Sequence, residues 1–122
     1  MAGVAMSDHS RSCAAVARGC PPGRISKVIR NVVVGRLNPG IELAAIEPGL
    51  AAIVALEPHG LLDCRVGRDL RLRDESWDFA ITCDFVDEDA YRSYDKDVEH
   101  NRIRREMFAL FCSEIARVQF TA

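Results

Sequence analysis

The 122-residue sequence contains no run of apolar residues near the ~20 that a bilayer span requires, which excludes a transmembrane helix. It also lacks an excess of positive charge. Sixteen basic side chains against 18 acidic ones give a net charge of −2, so no broad positive field attracts phosphate backbones and nucleic acid is not an expected partner. No C-x-x-C pair occurs. The five cysteines, Cys13, Cys20, Cys64, Cys83 and Cys112, are odd in number and widely spaced, which argues against a disulfide framework and a zinc knuckle alike. The acids match no calcium loop, and no motif calls for a metal or a cofactor. The opening Met1-Ala-Gly-Val-Ala-Met-Ser-Asp-His lacks the basic-then-apolar order of an export signal, so the expected compartment is the cytoplasm.

The remainder is an ordinary mixture, 48% hydrophobic and 28% charged, suited to one domain. A chain of this length can bury about two thirds of its unfolded surface, enough for one modest core. Residues 1–24 are rich in Ala, Ser, Gly and Arg and end in Cys20-Pro-Pro-Gly-Arg24, which stops regular structure. A flexible N-terminal tail is expected there, followed by a single domain over 25–122. Cys64, Cys83 and Cys112 lie in apolar stretches, where reduced cysteines serve as small buried hydrophobes, and no local arrangement marks one as a nucleophile.

The domain begins with a β-branched segment, Val28 to Arg36, that ends at Asn38-Pro39-Gly40 and reads as a strand entering a turn. Leu43, Ile46, Leu50, Ile53, Val54 and Leu56 follow at helical spacing. Pro48 either kinks that helix or sits in its first turn, with the start near Glu47. Leu61 to Gly67 alternates, with Leu62, Cys64 and Val66 opposite Asp63 and Arg65, and forms a second strand. A charged connection, Arg68 to Ser76, leads to a third strand from Trp77 to Phe85, with Trp77 placed in the core. The acids Asp87-Glu88-Asp89 introduce a short helix to about Lys96, carrying Tyr91 and Tyr94. A further helix from Asp97 or Val98 aligns His100, Ile103, Met107 and Leu110 on one stripe, leaving Arg102, Arg104 and Arg105 outside it. Ile115 to Phe120 closes as a fourth strand.

The order β-α-β-β-α-α-β predicts an α+β ferredoxin-like domain: a four-stranded antiparallel sheet with helices on one face. The other face carries Val32, Val34, Ala80 and Thr82, too apolar for water, and predicts a homodimer joined sheet to sheet into a dimeric α+β barrel.

Val-Ile-Arg-Asn-Val-Val-Val at 28–34, Arg-Val-Gly-Arg at 65–68, Trp-Asp-Phe-Ala at 77–80, Asp-Phe at 84–85 and Tyr94 six residues before His100 together resemble the stress-responsive A/B barrel (Dabb) domain family. The resemblance implies a small ferredoxin-like domain that dimerises into an α+β barrel, most members having no assigned biochemical role. One branch, the plant olivetolic acid cyclase type, closes a polyketide by aldol condensation, and its Tyr-x5-His pair matches Tyr94 and His100. The sequence departs from the family at Asn31, where many members carry His, and at Asp97-Val98-Glu99, where His-Pro-Ala is usual.

From the residues themselves, His100 falls in the first turn of its helix, whose positive end keeps the ring neutral and available as a base. Tyr94 is placed to donate a hydrogen bond to a carbonyl oxygen that gains charge. Asn31, Val33, Cys64, Phe79, Ile81 and Ile103 are expected to line a mostly apolar pocket with them. Asn31 can orient a ligand or simply satisfy the strand. The arginines following His100 either pair with the acids between Asp84 and Glu99 or hold an anion at the pocket rim. Three functions remain open: a binding domain for a small apolar or carbonyl-containing ligand, a cofactor-independent polyketide cyclase or isomerase with His100 as base and Tyr94 as donor, and a structural oligomer without ligand.

Overall fold

Side-chain alternation along the strands decides which residues face the helices, and one register carries this across the whole sheet. The computed structural model describes residues 28–122; the tail expected at residues 1–24 lies outside the described residues. Strand β1 (Ile29–Leu37) lies inside a four-stranded antiparallel sheet of order β2-β3-β1-β4, with β2 (Leu61–Arg68), β3 (Phe79–Phe85) and β4 (Cys112–Thr121). Its inner-facing Asn31, Val33 and Gly35 oppose Cys83, Ile81 and Phe79 on β3, and Gln119, Arg117 and Ile115 on β4. Cys64 and Val66 of β2 extend the same rows opposite Cys83 and Ile81. The inner face is therefore ruled into transverse rows: Cys64, Cys83, Asn31 and Gln119 form a polar one, and the next runs Val66, Ile81, Val33 and Arg117.

Helices α1 (Glu47–Ala55), α2 (Glu88–Lys96) and α3 (Val98–Ile103) cover that face. A 3₁₀ turn at Leu43–Ile46 precedes α1, and Pro48 sits in the first helical turn, where its missing N–H has no partner to lose. Phe85, Ile46 and Ile103 are at most 1% exposed, and each contributes roughly 1.5–3 kcal/mol by leaving water. Among the described residues no helix is long and apolar enough to cross a membrane.

Four local expectations need correction. Leu62 does not join Cys64 and Val66 on the inner face. The register of β2 shifts between Leu61 and Asp63, so Leu61 packs on the core and Leu62 is exposed. Trp77 precedes β3 rather than opening it, and lies half-buried under the Arg36 guanidinium, 4.3 Å from the ring centroid. Val54, expected on the apolar stripe of α1, is exposed, whereas Ile46, Leu50 and Ile53 are buried. Leu110, expected on the stripe of His100, is exposed as well. The chain turns π-helical over Arg104–Phe108, with the Ala109 N–H donating to the Arg104 carbonyl, and the extra residue in that turn brings Phe108 inward instead.

The outer face carries Val32, Val34, Ala80 and Thr82 half-buried beside the exposed Val118 and Phe120 of β4. Arg30 crosses this face to bind Asp84 through both carboxylate oxygens, at 2.8 and 2.9 Å.

Gly35 has a steric reason to lack a side chain. The Phe79 ring lies across it, and a Cβ there would stand 2.2 Å from the ring. Gly35→Ala is expected to lower unfolding stability by about 1–3 kcal/mol in a urea titration, the magnitude of overpacking, and Phe79→Leu in the same chain should recover part of the loss. An unchanged midpoint for Gly35→Ala contradicts this packing.

Candidate functional site

Asp97 forms the corner on which the site is built. Its backbone is extended, at φ −60° and ψ 133°, and it ends α2 while beginning α3. Its N–H donates to the Tyr94 carbonyl at 3.1 Å, and its carboxylate accepts the His100 N–H at 2.8 Å as an N-terminal cap. These two bonds fold the chain back so that the rings of Tyr94 and His100 stack with centroids 3.9 Å apart and planes inclined by 28°. Both side chains are buried, Tyr94 to 5% and His100 to 8% exposure, and Tyr94 also packs against Phe85 at 5.0 Å.

Beneath the pair lies a cavity of about 50 Å³. Of the residues expected on its wall, Asn31, Val33, Phe79, Ile81, Tyr94 and His100 are there. Cys64 and Ile103 are not. Ile103 is closed inside the core, and Cys64 sits one strand farther out, opening on a separate groove beside α1. The cavity also takes Ile53, Phe108 and Ile115 as apolar wall, and Tyr91, Asp95, Arg104 and Arg117 as polar rim. Arg117 was legible from strand parity, being an odd-numbered β4 residue flanked by Ile115 and Gln119. Phe108 was not, because the π-helical turn that brings it in has no sequence signature of that kind.

His100 titrates below the usual histidine value of 6.5, chiefly because burial penalises the imidazolium and secondly because Arg104 is nearby. The Tyr94 main chain and the carboxylates of Asp95 and Asp97 pull the other way. The neutral ring expected from sequence thus draws on desolvation and a neighbouring cation. Nδ1 of His100 is buried with no hydrogen-bond partner among the described residues. Burial likewise holds the Tyr94 phenol protonated, and the neighbouring Cys83 and Cys64 push in the same direction. Asn31 uses its Oδ1 to accept from the Gln119 amide at 2.9 Å.

The arginines after His100 divide. Arg102 is held on the surface between Glu99 and Glu106 of its own helical segment, and Arg105 is exposed. Arg104 reaches the Asn101 side chain at 3.1 Å and Asp95 at 3.6 Å, and its side chain borders the cavity. Among the described residues no three His, Cys, Asp or Glu side chains converge as metal ligands. The arrangement can therefore offer a carbonyl compound one neutral imidazole, one phenolic donor and two guanidinium groups at the rim.

Residues 29–122 match the family model described as the stress responsive A/B barrel domain. No curated protein matches the sequence. Among solved structures, a dimeric ferredoxin-like protein of unknown function from Thermobifida fusca superposes with a TM-score of 0.69 at 23% identity, over 84% of this chain and 99% of its own. A hydroxynitrile lyase from Passiflora edulis gives 0.68 at 16% identity, over 80% and 94% of the two chains. A cofactor-independent oxygenase from Streptomyces nogalater gives 0.63 at 18%, over 79% and 93%. At these identities the likeness establishes the fold.

Because the folded His100 resists protonation and the unfolded one does not, its contribution to stability is present above pH 6.5 and is lost as pH falls through the depressed folded value. The unfolding free energy of the full chain is expected to decline from pH 7 toward pH 5, and His100→Gln should flatten that decline. A His100 proton titration by NMR with a midpoint at or above 6.5 contradicts the assignment.

Proposed function

The chain belongs to the stress-responsive A/B barrel domain family, and from that membership and the cavity at His100 we propose that it binds a small carbonyl-containing ligand as a homodimer. The observation that carries this reading is the unpartnered Nδ1 of a histidine that is 92% buried at a cavity wall, a polar atom with an unfilled hydrogen bond where leaving it unpaired costs ~1–3 kcal/mol. Arg104 and Arg117 at the rim favour a ligand that also carries a carboxylate.

Cavity size decides between ligand classes. An apolar cavity of about 150 Å³ is needed to enclose benzene, so the present 50 Å³ accepts a small head group and not a whole linear polyketide. A short 2-oxo acid, with its ketone end inside and its carboxylate left at the Arg104 and Arg117 rim, suits the site better than the polyketide of a cyclase.

A second reading rests on the stacked pair itself. A neutral imidazole beside a protonated phenol can remove a proton next to a carbonyl while the phenol donates to the developing enolate oxygen, which is isomerase or aldol-type chemistry. Solved relatives of this fold include a hydroxynitrile lyase and a cofactor-independent oxygenase, so the scaffold supports enzymes.

The homodimer reading is supported by the apolar outer face and by relatives described as dimeric. Free thiols at Cys64, Cys83 and Cys112 suit a reducing compartment, in keeping with a cytoplasmic place.

Two experiments test these readings. In deuterated buffer with 2-oxobutyrate, the wild-type chain is expected to accelerate exchange at C3, and His100→Ala and Tyr94→Phe should each reduce that acceleration, the histidine variant by roughly 10²–10⁴-fold. Chemical-shift changes at His100 without exchange support binding alone, and the absence of both exchange and shift changes refutes the ligand reading. In sedimentation, the wild type should be a dimer at micromolar concentration and Val118→Glu a monomer; a monomeric wild type overturns the sheet-to-sheet association.

A further inference from the structure

Among the described residues, Cys64 and Cys83 are a nucleophilic pair outside the chemistry proposed above, and their placement is set by the sheet. They are direct partners in the antiparallel register of β2 and β3, both on the inner face. Their sulfurs lie 3.1 Å apart. Directly opposed strand residues hold their Cβ atoms about 4.5–5.5 Å apart against ~3.8 Å in a disulfide, so closing the bond needs only a small approach within one rung of the ladder.

We propose that Cys64 and Cys83 are a redox-active pair that a hydroperoxide converts into a reversible intramolecular disulfide. The two cysteines differ in the way such a pair requires. Cys64 is half-buried and borders a groove of about 400 Å³ lined by apolar side chains from Val54 to Leu62 together with Glu57 and Asp63, the side from which an oxidant would approach. Cys83 is 1% exposed and is reached through Cys64. The S–H of Cys83 donates to Cys64, and this hydrogen bond draws the Cys64 thiol below its usual value against burial and the Asp63 charge, while the same bond and burial push Cys83 up. Cys64, the more accessible of the two, is thus the attacking sulfur and Cys83 the resolving thiol.

The balance closes with hydrogen peroxide as the oxidant. The Cys64 sulfur attacks one peroxide oxygen, the O–O bond breaks, and one water leaves with a sulfenic acid remaining on Cys64. The Cys83 sulfur then displaces the sulfenic oxygen, which departs as a second water with the thiol proton, and the S–S bond forms. Two electrons pass from the thiols to the peroxide. The sulfenic acid is generated 3.1 Å from its resolving partner, so disulfide closure is favoured over further oxidation.

The experiment uses the full chain, reduced and then exposed to stoichiometric hydrogen peroxide. The intact mass is expected to fall by two hydrogens, peptide mapping should join the Cys64 and Cys83 peptides, and dithiothreitol should restore the starting mass. In Cys83→Ala, a sulfenic-acid trap such as dimedone should label Cys64; in Cys64→Ala it should leave Cys83 unlabelled. The wild-type mapping stands alone if a variant fails to fold. A linkage of Cys64 to Cys13, Cys20 or Cys112, oxidation of Cys64 to the sulfinic acid in the wild type, or no reaction at either cysteine overturns the proposal.

Discussion

One aspartate holds the two halves of the site together. Asp97 stops α2 by turning the backbone extended, and its carboxylate starts α3 three residues later, so a single residue sets both the spacing and the angle between Tyr94 and His100. Had one continuous helix run through this region, the six-residue step from Tyr94 to His100 would have left the two side chains about 120° apart around the helix, since a helix advances about 100° per residue. The break at Asp97 brings both rings to the sheet. Stacking at 3.9 Å then removes water from both, and that desolvation keeps the imidazole neutral and the phenol protonated.

The sheet supplies the other half by simple parity. Inward residues of four strands meet in rows, and two of these rows are not purely apolar: Cys64, Cys83, Asn31 and Gln119 in one, and Arg117 at the end of the next. Buried polar groups survive only with partners. Asn31 has Gln119, and Cys83 has Cys64. The Nδ1 of His100 has none among the described residues, and this distinguishes it from the satisfied polar groups around it.

Much of this was legible before the structure. Period-two alternation located β2 and β3, β-branched content located β1, the acids Asp87-Glu88-Asp89 marked the start of α2, and an apolar stripe marked the helix that carries His100. What escaped the reading departs from ideal periodicity. A bulge after Leu61 sends Leu62 outward, and the π-helical turn at Arg104–Phe108 exchanges Leu110 for Phe108 at the cavity wall. Cys64 kept the expected face but missed the cavity, because β2 is the edge strand, separated from β1 by β3. Its apolar neighbours in sequence concealed a partner thiol, a contact that exists only once β2 and β3 are in register.

The central claim, that Tyr94 and His100 meet one small ligand between them, is tested most directly by a crystal structure of the full chain grown with 2-oxobutyrate. The account predicts the ligand's carbonyl oxygen near the Tyr94 hydroxyl and the His100 ring, with its carboxylate toward Arg104 and Arg117. A cavity closed by the protein's own side chains, with the His100 imidazole turned out to solvent, contradicts it.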